Sequence, residues 1–129
     1  MIWLYANPNP ANKQVPDCVV RAISIATGKG WKTVYRELCK TGWEEFDMPS
    51  SNAVWGLYLY RNGFEPFLLP EACPQCVTVR AFSQMYPEGT YIIGTGSHAV
   101  AVVNGDYFDS WDSGGEVPSY FWAKKGKVN

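Results

Sequence analysis

The hydrophobic rhythm of the chain changes once, from helical spacing in its first two thirds to strict alternation from Thr90 onward. The stretch 16–28 predicts a short helix: Asp17 suits the N-cap, Cys18 is the first helical residue and Gly28 is the stop. Its apolar positions run almost all the way round, leaving Arg21, Ser24 and Thr27 as a polar edge, so the helix should be buried. A second helix is expected over 31–40, with Trp31, Val34, Tyr35, Leu38 and Cys39 on its core face and Gly42 closing it. A third runs from Ser50 or Ser51 to Gly63 with Val54, Leu57 and Tyr58 turned inward, and Thr78 caps a brief fourth ending at Met85.

Residues 2–6 read as a strand that breaks in the run Asn7-Pro8-Asn9-Pro10, and 64–69 as an edge strand because Pro66 lacks a ladder donor. The alternating part divides into strands at 90–94, 97–103, 106–111 and 117–122. Helices first and a meander last imply a single α+β domain spanning 1–129, with N-terminal helices packed on a C-terminal antiparallel sheet.

Asn104-Gly105 between two alternating runs is a two-residue hairpin turn, since both positions tolerate positive φ. The turn sets the register: Val103 faces Asp106, Val102 faces Tyr107, Val100 faces Asp109 and His98 faces Trp111. His98 is the only histidine in the chain, and on its face Asp109 is a diagonal neighbour at roughly 7 to 8 Å between backbones. Asp112 falls on the other face, so Asp109 is the carboxylate expected to orient the imidazole. Trp111, directly across, is expected to shield the His–Asp hydrogen bond from water.

At the start of the first helix, Cys18 meets unpaired N–H groups and the positive end of the helix dipole, which favour a thiolate. A cysteine in an apolar helix serves equally well as a small core residue until a partner is found. His98 with Asp109 supplies that partner if helix and hairpin dock. The expected constellation is then a nucleophile Cys18, a proton carrier His98 and an orienting Asp109.

Net charge of −1 and a pI near 5.8 give no basic surface for nucleic acid or an anionic membrane. No apolar run reaches membrane-spanning length and the opening residues lack a basic leader, so a cytoplasmic protein with mainly reduced cysteines is expected. The basic run 124–127 reads as a solvated terminus. Cys73-Pro74-Gln75-Cys76 is half of a zinc site by spacing, but completing it needs Cys39, Cys18 or His98, and the last two have a better assignment. The pair is expected as two reduced thiols in a loop, with no metal and no cofactor.

Cysteine at a buried helix start, histidine opening a strand, and an acid on the next strand resemble the papain-like cysteine peptidase superfamily. Asp109-Ser110-Trp111 is similar to its Asn-Ser-Trp signature, and Asp17-Cys18 resembles the acidic residue that bacteriocin-processing peptidases place before the nucleophile. The longer runs 17–24 and 97–107 resemble small uncharacterised proteins of bacteriophages and gut Firmicutes, which implies a phage or prophage origin. The resemblance also implies a glutamine six residues before the cysteine as oxyanion donor. Asn12 stands there, and Gln14, four before, is the preferred of the two because the proline-bounded loop loosens the spacing. Papain's glycine-rich flank and tryptophan after the nucleophile are missing, so its substrate groove does not transfer. The expected function is hydrolysis, or acyl transfer, at an amide of a peptide or protein substrate. The alternative is a non-catalytic domain that binds a host protein.

Overall fold

The computed structural model describes residues 2–126 of the 129-residue chain. In chain order the elements are β1 (Trp3–Tyr5), α1 (Cys18–Thr27), α2 (Trp31–Glu44), α3 (Asn52–Arg61), β2 (Phe64–Leu68), α4 (Val79–Met85), β3 (Thr90–Gly94), β4 (Ala99–Val103), β5 (Asp106–Asp109) and β6 (Tyr120–Lys124). Among the described residues this is an α+β arrangement of four helices and one six-stranded mixed sheet, ordered β1-β5-β4-β3-β6-β2.

The sheet departs from the expected antiparallel meander in two ways. β1 pairs in parallel with β5, Trp3 opposite Tyr107, and so occupies the edge on which a further meander strand would have formed. β6 instead pairs with β3, Ile93 opposite Phe121, so residues 110–119 carry the chain back across the sheet. β2 joins β6 on the far side as an edge strand, where Pro66 is tolerated. The hairpin keeps the register set by Asn104-Gly105, with Val103 opposite Asp106 and Val102 opposite Tyr107.

Alternation along β4 divides the core in two. Ala99 and Ala101 belong to the cluster that holds Ile23 of α1, Leu38 of α2 and Leu59 of α3, while Val100 and Val102 belong to the one that holds Phe82 of α4, Tyr107 and Phe121. Alanines on the first side leave room for α1 to lie close on β4. Fully burying a side chain such as Ile23 contributes about 1.5–3 kcal/mol, so α1 is held by packing more than by its own helix propensity.

Three local expectations change. Gly42 does not end α2 but lies within it: a Cβ there would stand 2.6 Å from the Asp47 carbonyl oxygen, so glycine serves a close approach of the following loop. α3 buries Trp55 and Leu59 beside Val54 and Tyr58, with Leu57 only partly covered. Cys73 and Cys76 are joined in a disulfide, their Cα atoms 4.6 Å apart and so within bonding reach; the expected reduced pair is corrected accordingly. The expected solvated tail begins inside β6, where Lys124 closes the strand and Lys125 pairs with Glu65 at 3.5 Å. Lys127 and Met1 lie outside the described residues.

Candidate active site

Cys18 opens α1, the helix docked on β4, and so points its N-terminal end toward the turn that precedes that strand. Asp17 occupies the N-cap position, yet its side chain does not cap the helix. One carboxylate oxygen takes the Arg21 guanidinium one turn down the helix, and the other accepts from Trp31 Nε1 at 2.8 Å. The first-turn N–H groups are therefore left to the dipole end at which the thiol sits.

His98 lies just ahead of β4, in the turn that joins it to β3. Thr95 N–H donates to the His98 carbonyl at 2.8 Å, and the His98 N–H donates to Thr95 Oγ1 at 2.9 Å. These two bonds hold the histidine backbone although it stands outside the ladder. Its Nε2 donates to Asp109 Oδ2 at 2.5 Å, which leaves Nδ1 as the nitrogen facing Cys18, to which it is hydrogen-bonded.

Asp109 ends β5, is 2% exposed and is saturated with donors. Besides His98, Oδ2 accepts from Ser113 Oγ at 2.6 Å, and Oδ1 accepts from the Ser110 N–H at 2.8 Å and Arg21 Nη2 at 3.2 Å. Asp112 is engaged elsewhere, accepting from Tyr107 Oη at 2.7 Å and the Gly114 N–H at 3.0 Å, and Asp109 is the carboxylate that bonds the imidazole. The Trp111 ring lies over His98 with centroids 4.9 Å apart, in the covering position expected for it.

The surroundings draw the thiol down and the imidazole up. Burial works to raise the Cys18 thiol, but the His98 hydrogen bond, a bond from the Ala99 backbone N–H, and the charges of His98 and Arg21 carry it below 9.0. Burial works to lower His98, and the bonds to Asp109 and Cys18 outweigh it and push the imidazole up to about 9. Asp109 is also drawn down against its burial, chiefly by His98 and then Ser113. Both shifts favour the charged forms, a thiolate on Cys18 and an imidazolium on His98.

The pair opens on a cleft of about 470 Å³ lined by Val19, Val20, Leu38 and Trp55, with Asn52 and Tyr120 as polar members. Neither expected oxyanion donor lines it. Gln14 and Asn12 are exposed, and Asn12 is held in a left-handed turn (φ 55°) by its N–H bond to the Asn9 carbonyl, with its Oδ1 accepting from Asn7 Nδ2 at 3.4 Å. Three contributors escaped the sequence reading: Arg21 as a bridge between two carboxylates, Ser113, and Tyr120. A charge in an otherwise apolar helix has to be paired, and that was the signal for Arg21. Nothing local marks Ser113 or Tyr120. No family model, no curated protein and no solved structure matches the chain.

Proposed function

We propose that this protein is a papain-like cysteine hydrolase that attacks the amide of a peptide or protein through Cys18, His98 and Asp109. The observation that carries this is the short bond from His98 Nε2 to Asp109, 2.5 Å, on an imidazole whose other nitrogen faces a thiol at a helix N-terminus. The Cys18 thiolate adds to the carbonyl carbon, and the carbonyl pair moves onto oxygen. His98 then gives its proton to the leaving amine as the C–N bond breaks, which leaves a thioester on Cys18. The neutral imidazole next takes a proton from water, hydroxide attacks the thioester, and the acid and the thiol leave. An amine in place of water gives acyl transfer with the same residues. Asp109 keeps the proton on Nε2 throughout and is itself never protonated.

Iodoacetamide tests this without a known substrate. Cys18 should be alkylated at pH 6.5 at least about tenfold faster than Cys39, the other free thiol, because only a thiolate reacts. Equal rates would refute it. The phage or prophage origin and a cytoplasmic site of action belong to the same proposal; among the described residues no helix is long and apolar enough to cross a membrane.

Non-catalytic binding of a host protein has one observation in its favour. Trp43 in the last turn of α2 and Phe46 and Met48 on the loop that follows line one surface pocket, with Phe46 98% exposed, and large exposed apolar groups mark interaction surfaces. Cys18→Ala separates the two, since full biological effect without the sulfur fits binding alone.

A further inference from the structure

We propose that Tyr120 is the oxyanion donor of this site, its hydroxyl acting with the Cys18 backbone N–H on the carbonyl oxygen of the bound substrate. This rests on the cysteine-hydrolase proposal and replaces Gln14 and Asn12, which lie outside the cleft.

Tyr120 Oη is a buried side-chain oxygen with no hydrogen-bond partner, unlike every other buried side-chain N or O among the described residues. Buried hydroxyls are nearly always paired, so an orphan beside a nucleophile is a donor kept for a ligand. The side chain lines the same cleft as Cys18 and His98. Its ring is fixed from two sides. Gly94 lies opposite Tyr120 in the β3–β6 ladder and a Cβ there would overlap the phenol, while the Trp55 ring stands 6.0 Å away. The donor is therefore positioned before any substrate arrives, as electrostatic stabilisation requires. Burial, and then the charge on Cys18, push the phenol above its ordinary 10.0, so it keeps its proton and donates without transferring it.

The partner N–H belongs to the first residue of α1, which has no acceptor within its own helix. As the Cys18 sulfur bonds to the carbonyl carbon, the π pair moves to oxygen and both donors shorten onto it. On collapse the pair returns, the leaving group departs and the donors relax. Neither is consumed.

Two reagents isolate the step. Acylation of Cys18 by p-nitrophenyl acetate passes through a tetrahedral oxyanion and releases p-nitrophenolate; alkylation by iodoacetamide displaces iodide and forms none. Both products are located on Cys18 by mass spectrometry. Tyr120→Phe keeps the ring on Gly94, so acylation should fall by about 10²-fold while alkylation stays within about twofold. Unchanged acylation in Tyr120→Phe would overturn the role of Tyr120 and leave the hydrolase proposal standing. Loss of both reactions would also overturn it, because Tyr120 would then support the thiolate or the fold, and so would a wild-type protein that is alkylated rapidly but never acylated. A wild-type Cys18 that reacts no faster than Cys39 with either reagent would remove the hydrolase proposal and this one with it.

Discussion

Arg21 donates from Nη2 to Asp109 Oδ1 at 3.2 Å, joining the helix that opens with Cys18 to the strand that ends at Asp109. Its other nitrogen is held by Asp17, one residue before Cys18. Both carboxylates and the guanidinium are nearly inaccessible to water, so each charge depends on the others for solvation. The relative placement of Cys18 and His98 thus follows from an ionic link between their supporting elements as well as from apolar packing.

Removing that link should be costly. Arg21→Ala leaves two buried carboxylates facing each other, and breaking such a pair typically costs about 3–5 kcal/mol. Arg21→Met, which keeps the packing of the stem, should lose nearly as much. Urea unfolding at pH 7 measures both. A loss below about 1 kcal/mol in Arg21→Met would show that the bridge is structurally idle.

The sequence pattern brings out Cys18, His98 and Asp109 because each obeys a local rule. Asp17 and Gly28 frame α1 and so put Cys18 at its start, and Asn104-Gly105 locks the β4–β5 register, with His98 just ahead of β4 and Asp109 at the end of β5. Their meeting was a conjecture about docking, and the alanines of β4 together with Arg21 are what realise it. The position of β6 was not legible. Alternation tells which face a residue takes but not which edge a strand joins, and here β1 had already claimed the free edge of β5. Tyr120 was hidden for the same reason, since only the β3–β6 pairing brings it over Gly94. The Cys73–Cys76 bond is not legible in the sequence, because the spacing of two cysteines permits a disulfide without fixing its oxidation state.

The pH dependence of stability separates the two halves of the ion pair. His98 is raised from 6.5 to about 9, so the stability it contributes is complete below 6.5 and is lost as pH climbs through about 9. Cys18 is lowered from 9.0, so its contribution is present above 9.0 and is lost as pH falls through its folded value; the two oppose each other. Cys18→Ala removes the opposition and retains the Asp109 bond, the largest interaction raising His98. Its unfolding free energy should therefore decline from pH 6.5 upward, with a slope no steeper than about 1.4 kcal/mol per pH unit, while the wild type declines less. Urea titrations at half-unit steps from pH 5.5 to 9.5 check this. Parallel curves for the two proteins would mean that the thiol and imidazole are not coupled.

Trp111 offers the last test, and the sole histidine makes it clean because His98 has a resonance of its own in a proton spectrum. The indole covers the imidazole at 4.9 Å and is 45% exposed, so it forms the wall between the His98–Asp109 bond and solvent. Trp111→Ala admits water there. Water relieves the burial that lowers the imidazole and weakens the pairing that raises it, and since the pairing wins in the intact site, the net movement is downward. The His98 titration should shift from about 9 toward 6.5, and Cys18 alkylation at neutral pH should slow with it as the imidazolium is lost. Stability should fall by only about 0.5–1.5 kcal/mol, the worth of one aromatic contact, and Trp111→Phe should restore part of the titration shift. A His98 titration that stays near 9 in Trp111→Ala would show that Asp109, Ser113 and the backbone shield the bond without the indole.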